Sequence, residues 1–191
     1  MITLPSSPRF VDLSGHEREE RYLESTGSLC LDDANRVAYA ALSPRTDRAM
    51  LEHFGRELGY RIEAFTATDA AGVSYYHTNV MLFIGHGLAG VTLEAIEDEA
   101  ERLHVERSLR AGGLEILAIS RAQATQFCGN VLSLTNDHGD ALFVMSASAA
   151  RAFTPAQHRR MAAHALVLSS ELSAFERVGG GSARCLIAEL F

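Results

Sequence analysis

The chain contains no lysine: all 17 of its basic residues are arginine. That excludes Schiff-base chemistry on an enzyme lysine, including the usual pyridoxal phosphate anchor, and removes the phosphate-binding lysine of a P-loop. Cysteine is sparse and odd in number, and Cys30, Cys128 and Cys185 are widely and irregularly spaced. This is a pattern of reduced thiols, not of a disulfide framework or a cysteine zinc site. No apolar run reaches the ~18 residues of a membrane span, and Met1 to Asp12 lack a basic region followed by an apolar core. A soluble, cytoplasmic protein without membrane contact is expected. The net charge of -7 offers no footprint for nucleic acid and favours a neutral or cationic partner.

Two familiar motifs also fail on inspection. His16-Glu17 lacks a second histidine four positions after the first, where Glu20 stands, so the zinc-protease helix is absent. Gly85-His86-Gly87-Leu88-Ala89-Gly90 has the dinucleotide-binding spacing, but Val91-Thr92-Leu93-Glu94 then alternates as a strand where a helix is required.

What remains is a chain of 191 residues, 47% of them apolar, enough to bury the core of a single domain spanning 1–191. Helices are predicted at Thr46 to Gly59, Ile96 to Ala111, Thr154-Pro155 to about Ala165, and Arg121 to Phe127. Strands are predicted at Leu29 to Ala41, Tyr60 to Phe65, His77 to Ile84, Leu88 to Glu94, Leu114 to Ile119, Val131 to Leu134, Ala141 to Met145 and Arg184 to Leu190. Strands alternating with single helices make a mixed α/β fold with hairpins and helical crossovers.

Four loops then deliver a polar residue just before an apolar strand: Glu24, His77, Asn130 and Cys185, which lie 53, 53 and 55 residues apart. A period this even indicates a repeated supersecondary unit. If the units stack around an axis, a carboxylate, an imidazole, an amide and a thiol meet at its centre, the makings of covalent catalysis. Cys185 follows Gly179-Gly180-Gly181, a loop that allows close backbone approach, and the alternation after it puts Cys185, Ile187 and Glu189 on one strand face. Taken singly, each residue has a plainer reading. Cys185 would be an inert core thiol, His77 a buried hydrogen-bonded ring, Glu24 a solvated charge at a strand end, and Asn130 a turn residue.

The ordered set Leu23-Glu24-Ser25-Thr26-Gly27-Ser28, Ser43-Pro44-Arg45-Thr46-Asp47, Tyr76-His77-Thr78-Asn79-Val80-Met81, Phe127-Cys128-Gly129-Asn130 and Gly179-Gly180-Gly181-Ser182-Ala183-Arg184-Cys185 resembles the guanidino-group-modifying superfamily of arginine deiminases and amidinotransferases. Within it the chain is most similar to amidinotransferase-like proteins associated with citrulline hydrolysis. The resemblance runs from about Asp12 to the C-terminus and implies a pentein, an α/β propeller of five ββαβ units around a central channel. At about 54 residues per unit, this chain holds about three and a half units, the C-terminal portion of the propeller, with an N-terminal part missing. An unpaired edge would be covered by a homo-oligomer or by a missing N-terminal partner segment.

The resemblance implies Cys185 as nucleophile, His77 as general acid and base, and Glu24 as a catalytic carboxylate that helps hold the guanidinium. Glu24, Asn79 and Asn130 would contact a small guanidino or ureido substrate, and no cofactor or metal is implied. Asn79 stands where arginine deiminases carry aspartate, Ser25 where a glycine is usual, and a guanidinium-gripping aspartate would fall before Met1. Asparagine in place of aspartate favours a ureido substrate over arginine. The intact Glu24, His77 and Cys185 set points to an enzyme; the missing aspartate points to the alternative, a catalytically incompetent remnant acting as a binding or partner subunit.

Overall fold

A computed structural model describes residues 11–188. It contains three copies of one unit: two antiparallel strands, a helical crossover, and a third strand parallel to the second. In the first, β1 (Cys30–Asp32) pairs with β2 (Val37–Ala41), and β3 (Arg61–Phe65) returns beside β2. In the second, β4 (Leu82–Gly85) pairs with β5 (Leu88–Val91), which pairs with β6 (Glu115–Ala118). In the third, β7 (Leu132–Thr135), β8 (Ala141–Ser146) and β9 (Leu166–Ser170) repeat the order. The spacing-based repeat is therefore a repeat of structure.

The helices start and stop on local chemistry. After a single turn, α1 (Ser25–Ser28), comes the first crossover, α2 (Arg48–Leu58), capped by the Asp47 carboxylate accepting from the Met50 amide at 3.1 Å. The second crossover, α3 (Glu99–Ala111), is capped by Asp98 on the Glu101 amide at 2.8 Å and ends at Gly112-Gly113. The short α4 (Arg121–Ala124) leads to the third unit, whose crossover is split into α5 (Ala147–Ala152) and α6 (Pro155–Ala162), the latter with Thr154 and Gln157 forming a capping box; α7 (Ser173–Gly179) follows β9. Each cap contributes about 1 kcal/mol.

The inner edge of each unit is its first strand, since β1 packs beside β4 and β4 beside β7. The Cys30 thiol donates to the Leu82 carbonyl at 3.0 Å across the first of these seams. Helix α3 lies against both β3 and β6, so this crossover also covers the preceding unit. The core consequently forms between units: one cluster joins Tyr39 and Phe65 to Met81, Val91 and Leu109, and a second joins Phe83 and Leu117 to Phe143 and Met161. Full burial of such side chains contributes roughly 1.5–3 kcal/mol each.

Several sequence expectations are corrected. Leu29 to Ala41 is a hairpin, turned at Asp33–Arg36, where the Asp32 carboxylate accepts from the Asn35 amide at 3.2 Å. Between the strands expected to end at Ile84 and to begin at Leu88, in agreement with that expectation, His86-Gly87 is the tight turn of the β4–β5 hairpin, with both φ angles positive (49° and 79°), as such two-residue turns require. The run from His77 opens with a 3-10 turn, Thr78–Val80, before the strand begins, and the strand at Leu88 ends at Val91. The helix from Pro155 ends at Ala162, short of Ala165, and that from Arg121 ends at Ala124, short of Phe127. Arg184–Leu186 is a 3-10 turn and not a strand; Glu189 and Leu190 of the expected strand lie outside the described residues. Strand β9 and helices α5 and α7 have no counterpart among the expected elements: β9 is mostly exposed, so it carries no alternation of apolar and polar positions. Among the described residues no helix is long and apolar enough to cross a membrane.

Candidate active site

The site is built where the chain enters each inner strand. Glu24 immediately precedes α1, and its backbone amide donates to Ser28 Oγ at 2.9 Å. Ser28, fully buried, donates its own proton to the Arg45 carbonyl at 2.9 Å and accepts from Thr46 Oγ1 at 2.8 Å. A small buried polar knot thus fixes the segment that carries the carboxylate. Thr78 fixes the next one, donating to the Ser28 carbonyl at 2.6 Å and accepting from the Ala41 amide at 2.8 Å.

His77 is held between Gly27 and Tyr76, whose ring centroid lies 4.8 Å away. Its Nε2 donates to Glu24 Oε2 at 2.6 Å, and the ring lies close enough to the Cys185 sulfur for each group to shift the other's pKa. The structure therefore brings Glu24, His77 and Cys185 into one chain: carboxylate, imidazole, thiol. Glu24, assigned by resemblance to the substrate guanidinium, is turned first to the imidazole.

Cys185 is exposed as a residue, but its sulfur is crowded. Asn130 Nδ2 donates to it at 3.0 Å, and Asn79 Oδ1 lies 3.5 Å away. Burial alone would raise the thiol pKa; hydrogen bonds from His77, the Ser182 amide and Asn130, with the charge of His77, more than offset this and hold it below the ordinary thiol value. Burial would likewise lower the His77 pKa, yet hydrogen bonds to Cys185 and Glu24 and their negative charge raise it. Both shifts favour a thiolate–imidazolium pair. By contrast, burial pushes Cys30 and Cys128 up to about 12, so neither is nucleophilic near neutral pH.

The glycine-rich loop before Cys185 is tied down at several points. Tyr76 Oη donates to the Gly180 carbonyl at 2.7 Å, and buried Ser182 donates to Glu176 Oε1 at 2.7 Å. The other oxygen of Glu176 accepts from Ser148 Oγ at 2.8 Å, anchoring α7 to the start of α5. Asn79 is buried in the 3-10 turn that replaces the start of the strand expected from His77; its Nδ2 donates to the Thr26 carbonyl at 3.0 Å while Oδ1 faces the sulfur. Asn130, expected to bind substrate, is buried and directed at the Cys185 loop.

Sequence reasoning leaves Arg45 without a role, although it lies in one of the motifs. Its Nη1 is 3.5 Å from Glu24 Oε2, and its guanidinium stands 5.4 Å from the Tyr76 ring centroid. It gives the rim of the site an exposed cation. Glu176 and Ser182 carry no signal beyond their proximity to the loop. A cavity of about 350 Å³ runs along the inner strands behind the site and reaches Asn79 and Arg184. Among the described residues no group of three histidine, cysteine, aspartate or glutamate side chains is placed to hold a metal ion.

A family model described as N,N dimethylarginine dimethylhydrolase, eukaryotic, matches residues 3–191. No curated protein matches the chain. Among solved structures it is similar to ArgZ, an arginine dihydrolase from the ornithine-ammonia cycle in cyanobacteria, with a TM-score of 0.66 and 17% identity over 84% of this chain and 23% of that one. The N-terminal domain of ArgZ covalently bonded to a reaction intermediate matches with a TM-score of 0.65 and 18% identity over 84% of this chain and 53% of that one. SxtG, an amidinotransferase from Microseira wollei in the saxitoxin biosynthetic pathway, matches with a TM-score of 0.56 and 16% identity over 79% of this chain and 43% of that one. At these identities the likeness is one of fold, and the chain spans about a quarter to a half of the length of these structures.

Proposed function

Because the chain belongs to the N,N dimethylarginine dimethylhydrolase family, within the guanidino-modifying pentein superfamily, we propose that it cleaves a guanidino or ureido C–N bond through a covalent intermediate on Cys185. The observation that carries this reading is the chain from Glu24 through His77 to a sulfur whose pKa is held down. A guanidino or ureido carbon is a poor electrophile because its nitrogens donate into it, so the reaction needs a thiolate in a fixed position.

The Cys185 thiolate adds to the central carbon, and the His77 imidazolium gives its proton to the departing nitrogen as the C–N bond breaks. The S-linked intermediate is then attacked by water, whose proton the neutral His77 takes, and the C–S bond breaks to restore the thiolate. Such proton transfer contributes typically ~10²–10⁴-fold. Glu24, though exposed, accepts from the ring at 2.6 Å, and so holds it in register and stabilises its cation, as a carboxylate does beside a catalytic imidazole. An ArgZ structure covalently bonded to an intermediate supports the covalent step.

The substrate class follows from charge. Beside the sulfur stands the neutral amide of Asn79, and the carboxylate of Glu24 is already engaged by His77 and Arg45. A neutral ureido group such as that of citrulline suits this pocket better than a guanidinium, and Arg45 offers the acid end of an amino-acid substrate a charge-assisted contact.

The test is turnover of citrulline, arginine and N,N-dimethylarginine, read as release of ammonia or amine. Citrulline is expected to react fastest, and Cys185→Ser to abolish release. Asn79→Asp, with folding checked by thermal unfolding, is expected to shift preference toward arginine by at least about tenfold, the ~1.4 kcal/mol at the low end of what one added charge beside a bound cation supplies in a buried site. A shift that does not appear overturns the ureido reading. Absence of all turnover with an ordinary Cys185 thiol favours the incompetent binding subunit.

A further inference from the structure

We propose that Asn130 is a positioning residue for the nucleophile and not a substrate ligand: its one amide clamps the backbone at Arg184 and Cys185, donates to the Cys185 sulfur, and ties both to the loop that carries His77. The inference rests on the reading of Cys185 as nucleophile and adds to it a residue that acts only through the thiol.

A side-chain amide can make four hydrogen bonds, two from nitrogen and two to oxygen. Asn130 uses all four inside the protein. Nδ2 donates to the Asn79 carbonyl at 2.9 Å and to Cys185 Sγ at 3.0 Å; Oδ1 accepts from the Arg184 amide at 3.0 Å and the Cys185 amide at 3.3 Å. The residue is 1% exposed. A substrate contact would require giving up one of these bonds and leaving a buried polar atom unpaired, which is unfavourable.

The local sequence is shaped to put the amide there. Phe127 takes a positive φ of 63°, and the Asn130 amide closes the turn onto the Phe127 carbonyl at 2.9 Å. At Gly129 any Cβ would lie 2.2 Å from the Val80 carbonyl oxygen, so only glycine lets this turn lie flat on residues 79–81. That contact brings Nδ2 within reach of the Asn79 carbonyl, two residues from the catalytic imidazole. An N–H donor strengthens when its acceptor becomes an anion, so Asn130 acts on the sulfur in the same direction as His77.

The test is the rate of Cys185 alkylation by iodoacetamide, read site by site by mass spectrometry from about pH 5 to about pH 10, on either side of the ~8.5 of a free thiol, which needs no turnover. Asn130→Asp keeps both acceptors for the backbone clamp but loses both donors and adds a charge beside the sulfur. The midpoint of the alkylation profile is expected to rise by about one pH unit or more, slowing the reaction about tenfold at neutral pH. In the unaltered protein the side-chain NH₂ signal of Asn130 is expected to shift in NMR spectra with the same midpoint as the alkylation, a readout independent of whether the variant folds. A depressed wild-type midpoint that Asn130→Asp leaves unchanged overturns this inference alone. So does an NH₂ signal that ignores the Cys185 titration and responds to added citrulline. A wild-type midpoint at the ordinary thiol value overturns the nucleophile reading and this one with it.

Discussion

A single methyl group at Gly27 tests whether the imidazole is held as tightly as catalysis requires. The backbone there is not left-handed, so alanine is tolerated by the chain itself, and the effect falls on packing. A Cβ at this position would lie 2.7 Å from both Cε1 and Nδ1 of His77, against ordinary contact from 3.4 Å. The ring must retreat by about 0.7 Å, roughly the distance that separates a good hydrogen bond from a lost one. The Glu24 contact, 2.6 Å in the intact site, and the placement of the ring beside the sulfur cannot both survive that retreat. Displacements of about 1 Å cost on the order of 10²-fold in rate, or about 2.7 kcal/mol in the barrier. Gly27→Ala is therefore expected to slow Cys185 alkylation at neutral pH and ureido hydrolysis by about 10- to 100-fold, with a thermal midpoint close to wild type. The paired measurement is alkylation rate against pH beside thermal unfolding. A variant with wild-type rate and wild-type pH profile would refute the claim that His77 is fixed by contact with residue 27.

Further outcomes follow from the pKa shifts and the backbone of the same site. The pH profile of turnover is expected to be bell-shaped, rising as Cys185 ionises below the usual thiol value of ~8.5 and falling as His77 loses its proton above the usual imidazole value of ~6.5; His77→Ala should move the thiol limb upward, and an unmoved limb would count against the ion pair. The same shifts carry signs for stability: the His77 contribution is full below its unfolded pKa and is lost as pH rises through the raised folded value. The Cys185 contribution is present above its unfolded pKa and lost as pH falls through the lowered one. Ser25 holds a φ of 45°, which is strained for a side chain with a Cβ, and Ser25→Gly is expected to stabilise the fold by about 0.5–1 kcal/mol in urea unfolding; no gain would mean that the serine is compensated elsewhere.

Much of the fold is legible in the order of the residues. The even spacing of Glu24, His77, Asn130 and Cys185 is a property of the letters, and it marks three repeats that fold as three ββαβ units. Helix starts are legible where a capping side chain stands just before the apolar period, as at Asp47 and Thr154; the start at Asp98 is not, because the apolar Ile96 extends the pattern two residues ahead of the cap. Strand β9 is not, because an exposed strand has no buried face to impose alternation. The 3-10 turns at Thr78 and Arg184 are not, because tertiary hydrogen bonds from Thr78 Oγ1 and onto Asn130 Oδ1 bend runs that alternate like strands.

The amino-acid order by itself determined the repeat, the caps and which side chains approach the axis, since each depends on neighbours within a few residues or on a period. Only the tertiary structure decided what each polar group does on arrival. Glu24 meets His77 across 53 residues, and Asn130 turns to Cys185 across 55. Those pairings depend on how closely separate units pack, a quantity set by the buried core between them and invisible in any local stretch of chain.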